Sequence, residues 1–313
     1  MSGDQPMFDD MPVRLWPVTP TKVLTWTDCP RRWRFTYLER RPKGPPWAHN
    51  SVGSSVHNAL REWYSGPRER RTPEGADAAV RRGWISDGFP DDALSAHWRD
   101  RAAAMVVRYV EGLDPDDEPV GVERTVATRT ATLAISGRVD RIDRRSAPDD
   151  VAVESGRDDE LVIVDYKTGR RALTDDDARS SIALALYAVA AARVLRTPCT
   201  KVELHHLPTD EVLVWRHTDE SLARAVRRVE SIAIDARAAE TRWRDGGLAA
   251  VAEREGRRDG DGRVTDDTAA AEVDAVFPPT VSAGCGWCDV RRWCAEGQAA
   301  AAAQPPWSGL ADG

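Results

Sequence analysis

Apolar positions repeat with two different periods along the chain, and the change of period divides it into predicted elements. Thr19-Pro20 reads as an N-cap followed by proline at the first helical position, opening a helix through about Leu38. Leu24, Trp33, Tyr37 and Leu38 give that helix an apolar side, and PKGPPWAHN breaks it. A second helix starts near Gly53 and runs through Tyr64, with Val56, Leu60 and Trp63 on one stripe and His57, Arg61 and Tyr64 on the next. Residues 76–112 form one or two further helices. From Val120 the period drops to two, so 120–129 and 131–142 predict an antiparallel pair of strands. After a polar, acidic insertion at 144–160, LVIVDYK (161–167) is almost continuously apolar, as a central strand covered on both faces must be. A helix over about 179–196, a hairpin of 201–206 with 211–216, and a helix over 219–244 follow.

This order of helices and strands predicts one α/β domain over 19–296, a mixed central sheet flanked by helices, with no internal repeat. Residues 1–18 read as a disordered leader, 245–276 as a flexible insertion and 297–313 as a disordered alanine/proline tail.

Composition fits a water-soluble core: 41% of residues are hydrophobic and 30% charged, with no apolar run long enough for a bilayer. The N-terminal residues lack a signal-peptide core, so a cytoplasmic location without membrane attachment is the expectation. Net charge is −7, but its distribution matters more than its sum. Arg31, Arg32, Arg34, Arg40, Arg41 and Lys43 make a basic stretch, suited to a phosphate backbone or to an ordinary solvated face. Five cysteines, an odd number, point to metal or redox chemistry rather than disulfides.

The candidate chemistry lies in GRVDRID (137–143) and VDYKTG (164–169). Asp165 and Lys167 are two apart on a strand and share a face. Asp140 and Asp143 are an odd number apart and face opposite ways if the strand stays regular, so only one joins Asp165, and Asp140 is nearer the strand interior. Carboxylates suit Mg²⁺, which lowers the pKa of an attacking water and neutralises phosphate charge; a lysine beside it orients the water. By residue type alone, an Asp–Lys ion pair at a strand end remains open. The motifs resemble the D…(D/E)-x-K core of the PD-(D/E)XK (restriction-endonuclease-like) nuclease superfamily, specifically its RecB-like branch with G-x-x-D-R-x-D and D-Y-K-T-G.

The resemblance extends upstream and downstream. Gly53-Ser-Ser-Val-His57-Asn-Ala-Leu60 is similar to the branch's G-x-x-x-H-x-x-L helix, which implies His57, Asp140 and Asp165 as ligands for Mg²⁺ or Mn²⁺; imidazole favours Mn²⁺. Glu123, on the preceding strand, is a further acidic candidate. The branch follows its lysine strand with Q-x-x-x-Y; here Tyr187 matches as a catalytic-site residue, but the glutamine position is Ala183.

Cys285, Cys288 and Cys294 form C-x2-C-x5-C, and Cys29 stands far upstream, with Cys199 outside both motifs. Such thiolates suit a 4Fe–4S cluster or tetrahedral Zn²⁺. The layout is similar to the iron–sulfur nucleases of the AddB C-terminal, Cas4-like and exonuclease V groups, which implies a 4Fe–4S cluster on these four cysteines joining the N- and C-terminal segments. Arg31, Arg32 and Arg34 beside Cys29, and Arg291 and Arg292 beside Cys294, would then converge as a DNA-binding track. Trp33 and Trp293 among them either stack on bases or shield the cluster.

Together these features predict a metal-dependent DNA exonuclease acting on single-stranded ends in repair, recombination or CRISPR adaptation. Without a Walker A motif, unwinding falls to a helicase or repair-complex partner. The Ala183 departure keeps a second reading open, a catalytically weak DNA-end-binding module of a larger complex.

Overall fold

The computed structural model describes residues 15–245, 247–249 and 267–310. Its sheet contains β1 (Trp16–Val18), β2 (Gly121–Arg129), β3 (Leu133–Ser146), β4 (Asp159–Lys167), β5 (Lys201–His206) and β6 (Glu211–Arg216), ordered β1-β3-β4-β5-β6 with β2 also on β3. β3 runs antiparallel to β2 and β4 and parallel to β1, while β5 is parallel to β4 and antiparallel to β6. The sheet is therefore mixed, and β4 lies inside it, as its apolar run requires.

Alternation along β4 decides how the helices are placed. Val162, Val164 and Tyr166 pack with α3 (Ala48–Ser65), α4 (Pro73–Arg82) and α5 (Asp92–Glu111). Leu161 and Ile163 pack with α8 (Ile182–Leu195), whose alanines allow close approach to the strands. A third cluster joins α1 (Pro20–Asp28) and α9 (Asp219–Asp245) through Val23, Trp33, Val229 and Phe277. No helix among the described residues is long and apolar enough to cross a membrane.

Several boundaries differ from the sequence expectation. Thr19 does cap α1, its side chain accepting the Lys22 N–H at 3.1 Å. The helix stops at Cys29, however, which is extended (φ −163°), because Pro30 starts the separate α2 (Pro30–Trp33) and disfavours helical geometry before it. A π-helical turn, Arg34–Leu38, completes the segment. Trp16 and Val18, expected in a disordered leader, are buried in β1; residues 1–14 lie outside the described residues.

The expected insertion includes α10 (Asp267–Val276), with Val273 fully buried; 251–266 lie outside the described residues. The acidic insertion carries α6 (Asp149–Ser155), and α7 (Asp175–Arg179) precedes α8 behind a Thr174–Asp177 capping box. The tail is also ordered as far as Leu310. It contains part of α11 (Ala295–Ala300), buries Leu310 at 5% exposure, and accepts the Ala48 N–H on Pro306.

Candidate active site

The site forms where the sheet splits. The β3–β4 ladder ends at Arg141–Val164, although β4 continues to pair with β5 as far as Lys167–His206. Beyond that fork the Asp140 side chain replaces the missing ladder partner: Oδ2 accepts the Tyr166 backbone N–H at 2.9 Å. On the other side of β3, Val122 pairs with Arg141 and Arg124 with Val139, which leaves Glu123 facing Asp140 without ladder pairing. Glu123 has φ +47°, the left-handed region that costs a side-chain-bearing residue energy. Val139 and Ile142, three apart, both reach the α8-side core, so side-chain alternation slips once at this point.

Helix α3 supplies the third group. A Cβ at Gly53 would lie 3.2 Å from Thr168 Oγ1, so glycine lets the helix approach the end of β4. One turn later His57 presents Nδ1 at 3.4 Å from both Glu123 Oε1 and Asp140 Oδ1. Its ring meets Tyr166 edge-on, with centroids 5.8 Å apart. His57, Glu123 and Asp140 are the group of potential metal-ligating side chains found among the described residues, with ligand atoms within 4.8 Å of one another. Asp165, expected to join His57 and Asp140, lies outside that spacing. Its Oδ2 is instead 2.5 Å from Lys167 Nζ.

Electrostatics tie the two halves together. Burial opposes charging His57, but hydrogen bonds and charge from Asp140 and Glu123 outweigh it and lift the imidazole to about 10. Burial pushes the Asp165 carboxyl up, with Lys167 opposing and Asp140 reinforcing the shift. Tyr187 is raised to about 12 by burial and by the charges of Asp165 and Asp140, which places its hydroxyl within their field. The ring lies directly over Gly137: a Cβ there would sit 2.3 Å from Tyr187 Cε1. Sequence reasoning thus identified His57, Asp140, Asp165, Lys167 and Tyr187 in one neighbourhood. Glu123, a secondary candidate on the strand before Asp140, joins His57 and Asp140 in the candidate metal group.

Behind the site, Arg141 is 4% exposed and donates to the hydroxyls of Tyr64, Tyr109 and Tyr166 while pairing with Asp143 at 2.8 Å. This hub binds α3, α5, β3 and β4 together beneath the fork. Asp143 is consequently a structural partner; the slip in alternation leaves it on the α3 side with Asp140, so its pairing with Arg141, and not the expected opposite facing, separates the two.

The cysteine segment presents a mixed outcome. Cys29, Cys285, Cys288 and Cys294 line one pocket, walled by Phe35 and Val290. Thr280 and Arg32 backbone N–H groups point at Cys29 Sγ, both at 3.4 Å, and the Gly297 N–H at Cys294 Sγ, at 3.3 Å. The four do not reach the single-ion spacing that His57, Glu123 and Asp140 show, so a formed metal cluster is not shown. Cys199 is buried elsewhere, in the α8-side core.

The expected arginine track is corrected in part. The Arg31 side chain is 7% exposed and held by Asp274 and Glu296, and that of Arg34 is 6% exposed and 2.9 Å from Glu39. Both are enclosed by packing and cannot reach a nucleic-acid strand. Trp33 is fully buried among Trp16, Trp26, Tyr37 and Phe277, so it stacks on neither base nor cluster. Arg32 pairs with Asp289 at 3.2 Å, Arg291 donates to the Gln298 and Ala301 carbonyls, and Arg292 to that of Pro42. Trp293 is partly exposed at the surface.

Comparison with known proteins agrees with this geometry. No curated protein matches the chain at a significant level. A crystal structure from Eubacterium rectale, described as a "putative exonuclease", aligns at 10% identity over 74% of this chain and 84% of its own, with a TM-score of 0.40, a likeness that carries no argument about function. The family model described as "PD-(D/E)XK nuclease superfamily" matches residues 17–295, which span the fork, α3, α8 and the cysteine segment. This chain belongs to the PD-(D/E)XK nuclease superfamily.

Proposed function

We propose that this protein is a Mg²⁺- or Mn²⁺-dependent deoxyribonuclease that hydrolyses phosphodiester bonds, acting as an exonuclease on single-stranded DNA ends in repair, recombination or CRISPR adaptation. The observation that carries the reading is the convergence of His57, Glu123 and Asp140, at 3.4 Å from imidazole to each carboxylate, on the same fork that holds the Asp165–Lys167 pair. One nitrogen and several carboxylate oxygens form a donor set that favours Mn²⁺ or Mg²⁺ over softer metals. His57, Glu123 and Asp140 would hold the ion, with Asp165 at its edge. When bound, a divalent ion lowers the pKa of water and offsets charge on the scissile phosphate.

The chain's own groups do the rest. Asp140 is fixed by the Tyr166 N–H, so its free oxygen points at His57 rather than wandering. Lys167, about half-exposed and paired with Asp165, is available to orient an attacking water or to stabilise charge developing on phosphate. Tyr187, braced over Gly137, offers a neutral hydroxyl beside Asp165. Ala183, one helical turn before Tyr187, offers no amide in place of the family's glutamine. That departure is the specific support for the second reading, a DNA-end-binding module with weak catalysis.

The reading includes a 4Fe–4S cluster on Cys29, Cys285, Cys288 and Cys294. Four thiols around one pocket, with backbone N–H groups directed at Cys29 and Cys294, fit such a centre, and Zn²⁺ is the competing occupant. The cluster would fasten α2 to the segment before α11. Its role here is structural, because metal-binding free energy becomes folding free energy.

The test is a cleavage assay with Mn²⁺ on end-labelled single strands, comparing wild type with Asp165→Ala and Lys167→Ala. Metal-dependent cutting lost in both variants supports the enzyme, whereas pure, metal-loaded wild type that binds ends without cutting supports the module. Anaerobic purification followed by a visible spectrum separates iron–sulfur, which absorbs, from d¹⁰ Zn²⁺, which does not.

A further inference from the structure

Most arginines near the fork are committed to structure. Arg141 is buried among three tyrosines, and Arg145 is shared between Asp143 and Glu203 at 2.7–2.8 Å. Arg138 is different. It stands two residues before Asp140 on β3, with its side chain 68% exposed, yet its Nε lies 2.7 Å from Glu123 Oε2. The other Glu123 oxygen faces His57 at 3.4 Å. The glutamate is therefore divided between the imidazole corner on one side and a guanidinium on the other. That ion pair engages the Nε side of the guanidinium. Its two terminal amino groups have no partner among the described residues and are open to solvent beside the site.

A planar guanidinium with a free amino edge matches the spacing of two phosphate oxygens better than any other side chain. Nothing in the packing needs Arg138, since the fork is already held by Arg141 and by the Asp140–Tyr166 contact. We propose that Arg138 binds a backbone phosphate of the nucleic-acid strand through its terminal amino groups, while its Nε keeps Glu123 turned toward His57. One residue then links the bound strand to the carboxylate that would hold the metal. The inference rests on the nuclease reading above and deepens it, because it assigns the strand a point of contact on the β2–β3 side of the fork.

The test measures affinity of the full chain for a short labelled single strand, with Ca²⁺ replacing Mn²⁺ to slow cleavage, as a function of salt. Wild type is compared with Arg138→Ala and Arg138→Lys. Loss of one phosphate contact should weaken binding about tenfold and flatten the plot of log affinity against log salt by about 0.7. Arg138→Lys should restore most of that slope, as a point charge without the fork. Mn²⁺ binding without DNA, read by calorimetry, should weaken about tenfold in Arg138→Ala, because Glu123 loses the partner that orients it. Equal salt slopes in wild type and Arg138→Ala overturn the phosphate contact alone. Unchanged Mn²⁺ binding in Arg138→Ala overturns the other half, the positioning of Glu123. A wild type that binds no strand under any of these conditions defeats the nuclease reading with it.

Discussion

Asp140 accepts the backbone N–H of Tyr166 at 2.9 Å with one carboxylate oxygen and faces His57 at 3.4 Å with the other. The same side chain thus closes the fork in the sheet and stands in the candidate metal site. Asp140→Asn keeps an oxygen that can accept the Tyr166 N–H but removes the charge facing His57, so it should cost less stability than Asp140→Ala while metal-dependent activity falls at least about a hundredfold. Asp140→Ala should lose activity equally and about 1 kcal/mol or more of stability, because the Tyr166 donor is left unsatisfied. Parallel urea melts and cleavage assays distinguish the two.

The raised pKa of His57 sets a pH dependence of fixed sign. In the metal-free protein, its favourable contacts with Asp140 and Glu123 contribute full stability below its ordinary pKa, near 6.5. That contribution should decline as pH rises and be lost as pH passes through about 10. Metal binding runs the other way, since the imidazole must be neutral to ligate. Mn²⁺ affinity should therefore rise about tenfold per pH unit from neutrality up to that range, with about one proton released per ion. Calorimetry in buffers of different ionisation enthalpy counts the proton, and His57→Gln should abolish its release.

Asp165 carries an electrostatic cost in the metal-free protein. Burial and the neighbouring Asp140 charge disfavour its ionised form, with Lys167 only partly offsetting them. Asp165→Asn should accordingly raise the melting temperature of the metal-free protein by a few degrees near neutral pH while eliminating cleavage. An unchanged or lower melting temperature would contradict the assignment of strain to this carboxylate.

Arg31 was expected from its sequence neighbourhood to contact DNA, but it joins α2 to α10 and α11 through Asp274 and Glu296. Both partners are partly exposed and can rehydrate, so Arg31→Ala should cost about 2 kcal/mol, below the 3–5 kcal/mol typical of a fully buried pair. It should leave the salt dependence of strand binding unaltered. Denaturant midpoints and the salt titration described for Arg138 measure the two effects separately.

Local pattern was enough for most of the framework. The apolar run at 161–167 demanded a central strand, period-two alternation after Val120 demanded its neighbours, and Thr19-Pro20 marked a helix start. Short-range patterns carry such information because burial and capping act within a few residues. The same locality misled at the ends of the chain. Trp16–Val18 is a strand because it pairs with residues 133–135, a partner more than a hundred residues away that no window around it contains. Leu310 is buried for a similar reason, against the cluster built on α3.

The site divides along the same line. Strand parity by itself put Asp165 and Lys167 on one face, and the resemblance of the sequence motifs to the nuclease family supplied His57, Asp140 and Tyr187 as candidates. Only the tertiary structure decided that β3 and β4 separate after Arg141–Val164 and that Glu123 turns left-handed to meet His57. It also decided which arginines are buried structural ties and which, like Arg138, remain open at the rim. The physical reason is that a charge's role depends on what desolvates and pairs it. Those partners come from β2, β3, α3 and α10, elements far apart in the chain.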